Sequence, residues 1–227
     1  MKLNPSKSRS LVISRFRTPL SQHSALDVDG DFVPDSCTVK LLGVTLDSKL
    51  TFETHVRSVA SCVSQKIGLL RKCRRIYADD DIVRNCFYSF ILPHFEYCSP
   101  VWSSAADTHL RLLDRAFNQI KFLLPSLNTN LRHRRLVGSL SYLFKIFSNG
   151  SHPLRTFLPD VHRSTRLTRG SRAMNGAAFS VVRCRTTQFS RCFVPDTCRV
   201  WNSLPDDIVH SSDIGAFKSR VNRFLLP

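Results

Sequence analysis

At 227 residues the chain can hold one ordinary core with an appendage or two small linked pieces, and two linked pieces are expected. Its 33 lysines and arginines against 17 aspartates and glutamates leave a net charge of +16 and a sequence pI near 10.1, which points to polyanions as partners, nucleic acid before a membrane surface. No apolar run approaches the ~20 residues that cross a bilayer, and the stretch from Met1 to Lys7 holds no apolar signal core.

Residues 10 to 46 read as short strands of a small antiparallel sheet. Leu11-Val12-Ile13 is one, Leu26 and Val28 face Phe32 and Val33 across Asp29-Gly30, a dipeptide suited to a hairpin turn, and Val39 to Leu46 is the strongest candidate strand. From Phe52 the apolar period moves from two toward 3.6. Phe52, Val56, Val59, Val63, Ile67 and Leu70 fall on one helical stripe, while Lys66, Arg71, Lys72, Arg74 and Arg75 crowd its end, with no acid between Glu53 and Asp79. A second helix runs from Asp81 to Ile91, where Pro93 ends or kinks it. A third starts near Asp107 and stops at Pro125, and a fourth carries Leu136, Leu140, Leu143 and Phe147 before Asn149-Gly150.

After Gly150 the pattern degrades. Arginine is the sole basic residue type from 151 to 200, with Arg163, Arg166, Arg169 and Arg172 closely spaced. A last short helix follows from Ser212 as cap through Ile214, Phe217 and Val221. The fold class expected is α+β: a small antiparallel sheet over 1–50, a helical bundle over 51–150, and an irregular arginine-rich region over 151–227 ending in that helix.

Between the first two helices stands Tyr77-Ala78-Asp79-Asp80, a tetrad that reverse transcriptases use to hold catalytic metal. Such a pair needs a tight turn between two apolar strands, and here the flanks are helical. Asp79, Asp80 and Asp81 instead suit the capping of exposed N–H groups and the positive helix N-terminus. The 8 cysteines include no Cys-x-x-Cys pair, and Cys184, Cys192 and Cys198 with His162 lack the close ligand pair of structural zinc sites. Free thiols in a reducing, intracellular setting, nuclear or cytoplasmic, follow, with no cofactor and no membrane partner. Trp102 and Trp201 read as core or interface anchors, and Phe179, Phe189 and Phe193 as packing against the bundle with base stacking as the alternative.

Several segments in order carry a resemblance: Met1 to Ser8, Val39-Lys40-Leu41-Leu42-Gly43-Val44-Thr45-Leu46-Asp47 with Leu50-Thr51-Phe52 and His55, Ile91 to Trp102, and Phe193-Val194-Pro195 with Trp201-Asn202-Ser203-Leu204-Pro205-Asp206-Asp207-Ile208 and Phe217-Lys218. Together they resemble the C-terminal part of the reverse transcriptase polyprotein of jockey-like non-LTR retrotransposons. The resemblance implies the end of a palm over 1–50, a thumb-like helical domain over 51–150 and a tail, with the catalytic hairpin of the family upstream of Met1. Magnesium is then expected only for the intact parent enzyme, and upstream polymerase domains are possible partners.

Three functional readings follow from these residues. The first is a truncated RNA-directed DNA polymerase segment that binds RNA or RNA–DNA or DNA duplex electrostatically and does not catalyse synthesis alone. Its candidate contacts are Lys66, Arg71, Lys72, Arg74 and Arg75, then Arg132, Arg134 and Arg135, then Arg163, Arg166, Arg169 and Arg172. The second is a helical protein-interaction module recruited from a retroelement. The third is an active metal-dependent enzyme using Asp79, Asp80 and Asp81.

Overall fold

The computed structural model describes residues 4, 7–14, 26–28, 30–77, 79–127, 129–162 and 175–226. It is α+β, with small antiparallel hairpins leading into a helical bundle. β1 (Leu26–Val28) pairs with β2 (Asp31–Val33), the turn passing through Gly30 at φ 87. The apolar run expected as one strand is two, β3 (Thr38–Leu41) and β4 (Val44–Asp47). Leu42 and Gly43 between them hold φ 47 and 86, the pair of left-handed residues that a two-residue hairpin turn demands. The two hairpins are separate sheets. Residues 11–13, expected as a strand, form none: a bridge joins Ser10 to Asp35, with Ser10 N–H donating to the Pro34 carbonyl, and Pro34 has no N–H with which to extend a ladder.

Asp47 closes β4 and opens the first long helix. Its Oδ1 accepts from Lys49 and Thr51 N–H at 3.0 Å, and its Oδ2 from Phe52 N–H at 2.7 Å and the Thr51 hydroxyl at 3.0 Å. This cage holds Leu50 and Phe52 at φ 51 and 57, where non-glycine residues seldom sit. Helix α1 (Glu53–Ile76) then buries Val56, Val63, Ile67 and Leu70, the stripe read from the sequence.

The second helix does not end at Pro93. α2 (Asp80–Cys86) widens into a π-helical turn, Phe87–Ile91, and continues as α3 (Leu92–Glu96). Leu92 N–H donates to the Phe87 carbonyl, and the wider turn accommodates a proline that would clash with a regular one. α4 (Ser99–Trp102), α5 (Asp107–Leu123) and α6 (Leu131–Ser148, capped by Asn130) complete the bundle. Tyr97, after α3, donates its hydroxyl to the Leu42 carbonyl at 2.7 Å and packs its ring against Gly43.

Beyond a 3-10 turn at Pro153–Phe157 and the β5 (Val161–His162) with β6 (Ala178–Phe179) pair, the tail is more regular than its sequence suggests. α7 (Thr187–Ser190), α8 (Phe193–Trp201), α9 (Asp206–Val209) and α10 (Ile214–Leu225) follow. Pro195 occupies the first turn of α8, where no donor is required. α10 is capped by Asp213, which accepts from Gly215 and Ala216 N–H at 2.8 and 2.9 Å, while Ser212, expected as the cap, donates its hydroxyl to Asp213.

Two hydrophobic cores result. The first runs from Val44 to Leu131 and includes Phe87, Phe95, Trp102 and Phe117. The second gathers Val137, Leu140, Leu143 and Phe144 of α6 with Phe179, Trp201 and Phe217, so α6 contributes to both. Phe144 and Phe217 stack with centroids 4.3 Å apart. Asn202 acts as a strand partner for β6, its amide donating to the Phe179 carbonyl at 2.7 Å and accepting from Phe179 N–H at 2.8 Å. From α7, Gln188 reaches back to donate to the Lys49 and Leu50 carbonyls, tying the tail to the entry of α1.

Candidate nucleic-acid interface

The cations at the end of α1 do not form one stripe, because five positions within ten residues wrap around a helix of 3.6 residues per turn. Arg74 lies on the core-facing side and pairs with Asp80. Lys66 donates to the Phe90 carbonyl at 3.3 Å on one flank, and Arg71 to Gln119 Oε1 at 3.0 Å on the other. Lys72 and Arg75 point outward and are exposed. Among the described residues no carboxylate lies within ion-pair reach of Arg71, Lys72 or Arg75, so their charge is available to a polyanion.

The aspartates that follow are engaged by separate donors. Asp79 caps α2, accepting from Asp81 N–H at 2.8 Å. Asp80 holds Arg74, and Asp81 holds Arg84 at 2.7 Å. Ala78 of the tetrad lies outside the described residues. Three carboxylates spread over a backbone amide and two guanidiniums do not fit a shared divalent ion, and among the described residues no group of three metal-ligating side chains converges.

Arg132, Arg134 and Arg135 divide similarly. Arg132 is exposed on the rim of a groove of about 610 Å³, where Asp107 pairs with Arg191 and Asp196 with Arg199. Arg134 pairs with Glu96. Arg135 turns inward, its Nε donating to the Phe95 carbonyl at 3.2 Å and its guanidinium lying 4.9 Å from the Trp102 ring centre. Burial pushes Arg135 down to about 10 against the opposing pull of Asp114 and Glu96, so it stays charged at neutral pH while serving the interior. Arg163, Arg166, Arg169 and Arg172 lie outside the described residues.

Of the aromatic and thiol candidates, Phe179, Phe193 and Cys198 join the fold. Phe179 is buried in the second core with Phe193 packed against it, and Phe189 is exposed. Cys198 is buried there, its thiol pushed up to about 12 by desolvation. Cys192 is raised chiefly by burial, and Cys184 is exposed.

A second set of cations went unread in the sequence. On α5, Arg111 and Arg115 are exposed opposite the buried Leu113, Ala116, Phe117 and Ile120, and neither has a carboxylate partner among the described residues. Arg84 donates to the Ser126 hydroxyl at 3.1 Å, linking α2 to the turn after α5. The signal was present: at 3.6 residues per turn Arg111 and Arg115 share the outer face of a helix whose apolar face was already assigned.

The features that converge here define a basic α+β protein whose unneutralised cations stand on two packed helices. No protein-family model matches the chain, and no solved structure matches it. The chain is similar to the probable RNA-directed DNA polymerase from transposon X-element of Drosophila melanogaster, with 24% identity over 139 residues covering 59% of this chain. That stretch covers 15% of the relative's length. The likeness supports a relationship to retrotransposon reverse transcriptases.

Proposed function

We propose that the chain corresponds to the C-terminal part of a jockey-like non-LTR reverse transcriptase, spanning the palm end, thumb and tail, and that it binds RNA or primer–template without catalysing synthesis alone. The observation that carries this is that Arg71, Lys72 and Arg75 on α1 and Arg111 and Arg115 on the adjoining α5 are exposed with no carboxylate within ion-pair reach among the described residues. Cations fixed on rigid helices displace condensed counterions from a phosphate backbone without reading sequence. The reading that the chain does not synthesise alone is supported by Asp79, Asp80 and Asp81 serving a helix cap and two ion pairs. In the parent enzyme these helices would hold the duplex while upstream domains supply the chemistry, and the protein would act in the nucleus or cytoplasm.

Filter binding of purified protein to RNA and to RNA–DNA duplex across a salt series tests the reading. The expected log–log slope is roughly −3 to −6, for about four to seven neutralised phosphates. Replacing both Arg71 and Arg75 by Gln should make that slope shallower by about two. No retention of either ligand at low salt rules the reading out.

A second reading, a recruited protein-interaction module, draws on the apolar side chains left in solvent at Leu69, Ile76 and Phe90 along α1 and the π-helical turn. It expects self-association or partner capture that is insensitive to salt.

A further inference from the structure

We infer that Phe122 is a stacking platform for an unpaired nucleobase, so the strand held on the α1–α5 face is single-stranded where it passes the end of α5. This rests on the nucleic-acid reading above and names the form of ligand that the face selects. Phe122 is 87% exposed, more than any other large apolar side chain among the described residues. At about 100° per residue it falls on the same outer face of α5 as Arg111 and Arg115, turned away from the core.

α1 runs alongside in the same sense. His109 near the start of α5 lies 3.6 Å from Glu53 at the start of α1, and Gln119 near its end meets Arg71. Phe122 follows Gln119 by three residues and Arg75 follows Arg71 by four, so both come a turn beyond that contact on adjoining helices. The ring therefore lies about a turn past the Arg71–Gln119 contact, on the helix face that carries Arg115 two turns earlier, and neither Arg71 nor Arg115 has a carboxylate within ion-pair reach among the described residues.

An aromatic face set among cations that track a backbone is the composition of surfaces that hold single strands, because every base offers a π-face. A blunt duplex keeps its bases stacked and can use the cations but not the ring. A protein partner would have to cover several unscreened positive charges along with the ring, whereas a polyanion meets both needs.

The test uses the full chain with a short single-stranded RNA carrying 2-aminopurine and a blunt RNA–DNA duplex of matching sequence. Wild type should bind both and quench the 2-aminopurine emission. Phe122→Ala should weaken single-strand binding about tenfold, abolish the quenching and leave the duplex unaffected, while Phe122→Trp restores both single-strand signals. The exposure of the ring makes loss of folding in these variants a minor concern, checked by circular dichroism. Unchanged single-strand affinity in Phe122→Ala, or an equal loss on the duplex, overturns the stacking role while leaving the nucleic-acid reading intact. Self-association lost in Phe122→Ala with RNA affinity preserved assigns the ring to a protein contact and also overturns it. Wild type that holds neither probe removes the nucleic-acid reading itself, and this inference with it.

Discussion

Gly43 sits at φ 86 with the Tyr97 ring 3.3 Å from where a Cβ would stand, so both backbone and neighbour demand a residue without a side chain. Gly43→Ala should cost about 1–2 kcal/mol, read as a lower urea midpoint at unchanged slope. Asp47 makes a pH-dependent contribution in the adjoining loop. Burial, the largest influence, works to raise its carboxyl, but the Thr51, Phe52 and Lys49 N–H groups together hold it below its ordinary 3.8. The folded value lies below the unfolded one, so the stability it supplies is complete above the unfolded value and is lost as pH falls through the folded one. Asp47→Asn should therefore be less stable than wild type at neutral pH. The gap should shrink in thermal melts taken toward and below pH 4, near that ordinary value.

At the scale of elements, β6 depends on a side chain that imitates a strand. Asn202→Asp keeps the acceptor for Phe179 N–H but leaves the Phe179 carbonyl without its donor, an expected loss of about 1–3 kcal/mol measurable by thermal denaturation. In α6 the reverse holds: Gly138 has open space where a Cβ would go, so Gly138→Ala should stabilise by about 0.5–1 kcal/mol. What the sequence disclosed follows the same division. The apolar stripes of α1, α5 and α6 were legible because one face repeats at the helical period. The split of Val39 to Leu46 into a hairpin turned on one glycine, and α8 was hidden by a proline in its first turn. Arg71, Lys72 and Arg75 stood out as charges with no acid nearby. The diversion of Arg74 to Asp80 and of Arg135 to the Phe95 carbonyl depends on how chain segments come together, which local pattern does not encode. Arg111, Arg115 and Phe122 were missed because α5 was read for its buried side alone.

For the molecule as a whole, α6 is the shared member of two interiors, and each interior contains one of the chain's 2 tryptophans, Trp102 in the first and Trp201 in the second. Single-tryptophan variants, Trp102→Phe and Trp201→Phe, then report the cores separately by fluorescence. Their denaturation profiles, each referred to its own circular dichroism curve, should coincide, because a helix common to both cores cannot melt from one alone. Distinct midpoints would show that the cores unfold independently. Gln188 has a consequence on a different timescale. It is synthesised 138 residues after Leu50, whose carbonyl it binds, so on a translating ribosome the entrance to α1 emerges long before its latch exists. Premature termination within that interval would release an N-terminal half deprived of this closure.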